Sequence, residues 1–155
     1  MTGINRITDI QKGRCQCGEI SYSMNKSKII STHHCHCKDC QRSTGSGKAT
    51  ILFISKKYVE LNGEIKYFET KGSSGLHVRR GFCSNCGSGI LSYTKELPHI
   101  LFIKAGTLDD SSWVKIDSNF FTKSANDWNK PDESIKCFEG NPGLMYNLKT
   151  LIKSF

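Results

Sequence analysis

Hydrophobic residues along this chain recur in short stretches, more often with a period of two than with a helical period. Ile20, Tyr22 and Met24 alternate with polar neighbours, and Ile65, Tyr67 and Glu69 do so more weakly, as half-buried strands do. Residues 49–54 and 99–105 read as buried strands, and residues 76–82 and 89–93 as two more that bracket a cysteine pair. Gly63, Gly72, Gly75 and Gly106 mark turns between them, with Pro98 and Pro131 at apparent boundaries. Helical signal is scarce. It amounts to one turn over residues 55–59, where Ser55 could cap, and a short turn after Cys37. The pattern predicts a mainly β fold of short antiparallel strands, in one domain spanning residues 1–155. Such sheets have edges and small cores, so a metal tying two distant hairpins would strengthen them.

Cysteine placement turns this β chain into a candidate metalloprotein. Seven of eight cysteines fall in three clusters: Cys15 and Cys17; Cys35, Cys37 and Cys40; Cys83 and Cys86. Brackets this short let thiolates converge on one tetrahedral ion, usually zinc. A CxC and a CxxC together supply four thiolates and close a structural site, whereas three leave a position free for water or substrate. Gly18 follows the first cluster and Gly87 the third, where amides must turn toward sulfur and positive φ is common. The shared architecture assigns Cys15, Cys17, Cys83 and Cys86 to the closed site; the competing assignment puts Cys35 or Cys40 there.

Cys35, Cys37 and Cys40 then form the second, more labile and reactive site. Chemically capable residues surround it: His34, His36, Lys38, Asp39 and Arg42. His34 or His36 could be a fourth ligand, but adjacent ligands in a Cys-His-Cys run are strained around one ion. His33 and His34 also read as solvated turn residues. Lys38 and Arg42 could hold a substrate carboxylate, Arg42 bidentately, or Arg42 could be a plain surface cation. Cys137 stands alone and reads as a small buried hydrophobe, with a fourth-ligand role as the alternative.

Charge and targeting signals narrow the partners. Twenty-two basic against fourteen acidic residues give +8; two thiolate-bound zinc ions would contribute −2 and −1, leaving about +5. Lys56-Lys57 and Arg79-Arg80 are scattered pairs, not a polybasic arm. That balance suits an anionic small substrate, with weak non-specific nucleic-acid binding as the lesser expectation. Residues 1–9 carry no apolar h-region, and the longest strongly apolar run, 51–54, cannot span a membrane. A reducing, cytoplasmic setting without disulfides is therefore expected.

Three motifs carry a family resemblance. Residues 13–22 (GRCQCGEISY), 35–45 (CHCKDCQRSTG) and 80–88 (RGFCSNCGS), followed by 105–110 (AGTLDD), resemble the glutathione-dependent formaldehyde-activating enzymes, also described as the centromere protein V-like family. The resemblance implies an Mss4-like fold, structural zinc on Cys15, Cys17, Cys83 and Cys86, and a labile catalytic zinc on Cys35, Cys37 and Cys40. It implies a carbon–sulfur lyase that joins formaldehyde and glutathione into S-hydroxymethylglutathione, or acts on a related thiol adduct. On that reading glutathione thiolate takes the open zinc position, nearby cations hold its carboxylates, and His36 or an ordered water shuttles the proton. The chain departs from the family at Gln41, where Arg is common, at Asn119, in the place of a histidine, and at Ile116, in the place of a proline. Some relatives are associated with chromatin, so a non-enzymatic, zinc-stabilised binding protein is the alternative.

Overall fold

The computed structural model describes residues 9–155, and the N-terminal residues 1–8, which carried most of the targeting reading, lie outside it. Eleven strands among the described residues form two sheets. β1 (Ile10–Arg14), β2 (Ser21–Asn25) and β5 (Val59–Asn62) make a small antiparallel sheet in the order β1-β2-β5. The larger sheet contains β3 (Ile29–Cys35), β4 (Ala49–Ser55), β6 (Ile65–Lys71), β7 (His77–Cys83), β8 (Gly89–Thr94) and β9 (Leu97–Lys104). β10 (Ser118–Phe120) and β11 (Lys136–Cys137) complete it. Its order is β11-β10-β3-β4-β9-β8-β7-β6. Two helices lie wholly within the described residues: α1 (Lys38–Thr44) and α2 (Leu144–Lys153).

Period-two alternation decides which face of each strand is buried. Leu52 and Ile54 of β4 and Leu101 and Ile103 of β9 point into the core between the sheets, where Ile20, Tyr22 and Met24 of the small sheet meet them. Burying each such aliphatic side chain contributes about 1.5–3 kcal/mol. Truncating Leu52, which is fully enclosed, to alanine would cost about 2–5 kcal/mol. Ile51 and Phe53, the alternate residues of β4, face the other way into a second cluster with Phe102, Phe120 and Tyr146. The large sheet thus has one structural face and one face free to build a site.

The mainly β, Mss4-like class stands, with differences in detail. β10 pairs in parallel with both β3 and β11, so one end of the large sheet is not antiparallel. The predicted turn at 55–59 is a single 3-10 turn (Lys56–Tyr58) whose Ser55 makes no side-chain cap bond. Helix α2 was not expected. It follows Pro142-Gly143, and its spacing of Leu144, Leu148, Leu151 and Ile152 is helical.

His33 and His34 are not solvated turn residues. His33 lies in β3, fully buried, with Nδ1 2.7 Å from Ser118 Oγ and Nε2 2.7 Å from Ser31 Oγ and 2.8 Å from Tyr146 Oη. Its ring stacks on Phe120 at 4.1 Å. A buried imidazole needs these partners, and Tyr146 makes His33 an anchor for α2 on β3. Burial pushes its pKa down to about 4. His34 is half-buried beside Thr50 Oγ1 (2.9 Å).

Candidate metal centres and the adjoining cavity

Strand ends deliver the first cluster. Cys15 follows β1, Cys17 lies in the turn after it, Cys83 closes β7, and Cys86 lies in the turn before β8. Gly18 and Gly87 take φ of 82° and 78°, conformations that residues with a Cβ rarely adopt. The Ile20 amide donates to Cys15 Sγ (3.3 Å), and the Gln16 amide donates to Ser88 Oγ (3.0 Å), which itself lies 3.2 Å from Cys86 Sγ. All four sulfurs lie within 4.8 Å of one another, with Cys15–Cys17 and Cys17–Cys83 separations of 3.5 and 3.7 Å. Tetrahedral zinc–thiolate bonds of about 2.3 Å give sulfur–sulfur edges near ~3.8 Å. The donor set and its spacing fit such an ion. Hydrogen bonds from Ser88 hold Cys86 down to about 5, in the direction metal ligation requires.

The second cluster is local. Cys35 ends β3, Cys37 is the N-cap of α1 and accepts the Cys40 amide at 3.3 Å, and Cys40 sits in the first helical turn. Their sulfurs also lie within 4.8 Å of one another. Hydrogen bonds from Cys35 and Cys37, and then the charges of Lys104 and Arg80, hold the Cys40 thiol well below its usual range. Hydrogen bonding with Cys37 and then Cys40, with burial, pushes Cys35 up. Three soft donors fit a zinc-type ion with one open position. Neither His34 nor His36 joins the group, and Cys137 does not either. Cys137 is exposed on the two-residue strand β11, not a buried hydrophobe.

His36 is fully buried behind the cluster, with Nε2 3.3 Å from Asn119 Oδ1 and Nδ1 without a hydrogen-bond partner among the described residues. Asn119 is itself fully buried, and its Nδ2 donates to Asp132 O at 3.0 Å. Gln41 is a clamp. Its Nε2 donates to His36 O and Ser124 O (2.8 and 2.9 Å), and its Oε1 accepts from Asn126 Nδ2 (2.9 Å). It therefore fixes α1 against residues 122–126. Phe121, at the start of that segment, holds φ of 57°, a strained value for a side chain with a ring.

The three-cysteine cluster opens onto a cavity of about 570 Å³ on the free face of the large sheet, within the size range of small-molecule sites. Lys38 lines it; Arg42 is exposed on α1 and does not. The inner cations are Arg80 of β7 and Lys104 of β9. Burial lowers the pKa of Lys104, opposed by the charge of Cys40. Arg80 Nη1 donates to Thr70 Oγ1 (2.9 Å), while its Nε is buried without a partner among the described residues. In the sequence Arg80 is half of the scattered pair Arg79-Arg80 and Lys104 a lone cation in a strand, so neither marks a site. Their signal is register: Arg80 opposes Ser92, which opposes Phe102, one alternate residue from Lys104.

Comparison with known proteins agrees with these motifs. The family described as glutathione-dependent formaldehyde-activating enzyme matches residues 10–124. The chain belongs to that family. A crystal structure of a Rhodobacter sphaeroides protein is similar to it, with a TM-score of 0.50 and 17% sequence identity, over 67% of this chain and 90% of that one; at that identity the likeness bears on fold alone. No curated protein matches the chain. No helix among the described residues is long and apolar enough to cross a membrane.

Proposed function

We propose that this protein is a carbon–sulfur lyase that joins glutathione, or a closely related thiol, to formaldehyde in the cavity beside Cys35, Cys37 and Cys40. The observation that carries the reading is the opening of a three-thiol cluster directly onto a cation-lined cavity. Zinc held by those three cysteines would supply Lewis acidity, lowering the pKa of a nearby thiol and polarising a carbonyl. The second ion, on Cys15, Cys17, Cys83 and Cys86, is structural.

The remaining roles belong to the chain. Arg80 and Lys104 offer positive charge to the carboxylates of the thiol, with Lys38 and Lys123 at the rim. Ile51, Phe53 and Phe102 exclude water, which strengthens each charge interaction inside. In the reaction the thiol sulfur bonds to the carbonyl carbon, the C=O π pair moves onto oxygen, and the proton lost by sulfur ends there. His36, away from the cavity lining, acts with Asn119 as a positioning residue for the cysteine loop. A reducing, cytoplasmic location keeps the thiols available.

Exchange NMR on glutathione and formaldehyde, with and without zinc-loaded protein, tests the reaction against its uncatalysed background. Faster exchange that disappears in Cys37→Ser supports the assignment, and an unchanged rate rejects it.

A further inference from the structure

Formaldehyde adds one carbon to a thiol, yet most of the cavity lies beyond the reach of one carbon. Strand register lays its floor out in rows leading away from the cysteines. Cys35 is paired with Ala49; the next row along is Ile51 opposite Lys104; the next runs Phe53, Phe102, Ser92, Arg80; then come Ile100 on β9, and Thr94 opposite Val78. Each two-residue step is about 7 Å, so the floor runs about 20 Å from the Ala49 row to the Ile100 row. The charged side chains of the floor are Lys104, in the second row, and Arg80, in the third, and the charge of each acts on Cys40. Beyond them the lining carries no charge: Val78 of β7, Leu97 and Ile100 of β9 and Leu151 of α2 supply apolar surface, with Ser73, Ser74, Thr94 and Thr150 among them. Helix α2 lies past the family-matched residues 10–124, so this wall is an addition to the shared motifs.

We propose that the cavity takes thiol adducts of apolar aldehydes: an anionic, thiol-bearing head at the cysteine end and an alkyl or aryl group along the floor beyond Phe102. This rests on the thiol-adduct reading above and names its electrophile. The head matches Lys104 and Arg80 in charge, and Arg80 Nε awaits an acceptor. A polar peptide placed against Val78, Leu97, Ile100 and Leu151 would lose hydrogen bonds to water without replacement, whereas a hydrocarbon gains by burial there. The chemistry is that of hemithioacetal formation: sulfur bonds to the aldehyde carbon, the π pair moves to oxygen, and the thiol proton follows. No oxidant or reductant is needed.

Calorimetry on the zinc-loaded protein tests this with reduced glutathione, S-methylglutathione, S-hexylglutathione and octanoate, an anionic chain that lacks the peptide. A fully buried methylene is worth about fourfold in affinity, so the hexyl derivative should bind at least ~30-fold tighter than the methyl one even with half that gain. Phe102→Ala should bring this ratio below about five, and so should Leu151→Asp, a change on a partly exposed helix outside the core that should not disturb folding. Equal affinity of the methyl and hexyl derivatives overturns the inference, and glutathione binding then leaves the glutathione reading standing. Octanoate binding that weakens in Leu151→Asp, with no binding of any glutathione compound, supports the apolar cavity and overturns glutathione as its head. Failure of both octanoate and S-hexylglutathione to bind overturns the inference.

Discussion

Cys17 Sγ lies 3.7 Å from Cys83 Sγ, although 66 residues separate them in the chain. The contact ties the end of the small sheet to the tip of the β7–β8 hairpin, and the core between the sheets fills around it. Closing so long a loop through an ion makes metal binding part of folding.

The first prediction follows. Structural zinc sites are worth about 10–16 kcal/mol in apparent binding free energy, comparable with the whole stability of a domain. Cys83→Ser and Cys86→Ser should therefore unfold or precipitate the protein. Cys37→Ser, on a cluster formed within one short segment, should melt within a few degrees of the parent and be inactive. Circular dichroism melts compare them, and equal loss of fold in both classes would contradict the division.

Metal content offers an independent check. The zinc-reconstituted chain should carry two ions, and dilute chelator should remove one quickly, because three donors hold less tightly than four. Elemental analysis before and after treatment reads this. A single ion resistant to removal, with no second equivalent bound on titration, would remove the basis for a reactive centre.

Tyr22 sets an alkaline limit. It is almost fully buried, with Oη 2.8 Å from Thr107 Oγ1, and burial raises its pKa from 10.0 to about 12. Between those values the unfolded chain has released the proton and the folded one has kept it, so stability present below pH ~10 is lost as pH rises to ~12. The loss is about 3 kcal/mol at the upper limit. Tyr22→Phe should cost about 1 kcal/mol at neutral pH and flatten that decline in denaturant titrations.

Much of the fold was legible because it is local. Period two found the buried face of β2, apolar runs found the strands β4 and β9, and glycine after cysteine marked two metal knuckles whose positive φ is observed. What escaped depends on distant pairing. Nothing near His33 announces that Ser118 and Tyr146 will satisfy it, and the short parallel strands β10 and β11 exist only because β3 offers an edge. Cys137 was misjudged for the same reason: its strand sits at the sheet margin. Lys104 and Arg80 become a pair only through the register of β7, β8 and β9. Helix α2 had a usable signal in its leucine spacing, obscured by the β pattern before it.

The +8 charge is the feature that favours a nucleic-acid partner over an enzyme. Binding to a labelled duplex should be weak, indifferent to sequence and steeply reduced by salt. Fluorescence anisotropy at about 0.15 M salt measures it, and submicromolar affinity there would favour a chromatin-type role.

The central claim is that Cys35, Cys37 and Cys40 form a thiol-binding centre, and titration of glutathione into zinc-loaded protein tests it most directly. The account predicts measurable heat with the parent chain, at least ~10-fold weaker binding of S-methylglutathione, whose sulfur cannot ionise, and no glutathione binding in folded Cys37→Ser. Absence of heat at millimolar glutathione, or undiminished binding in Cys37→Ser, would contradict it.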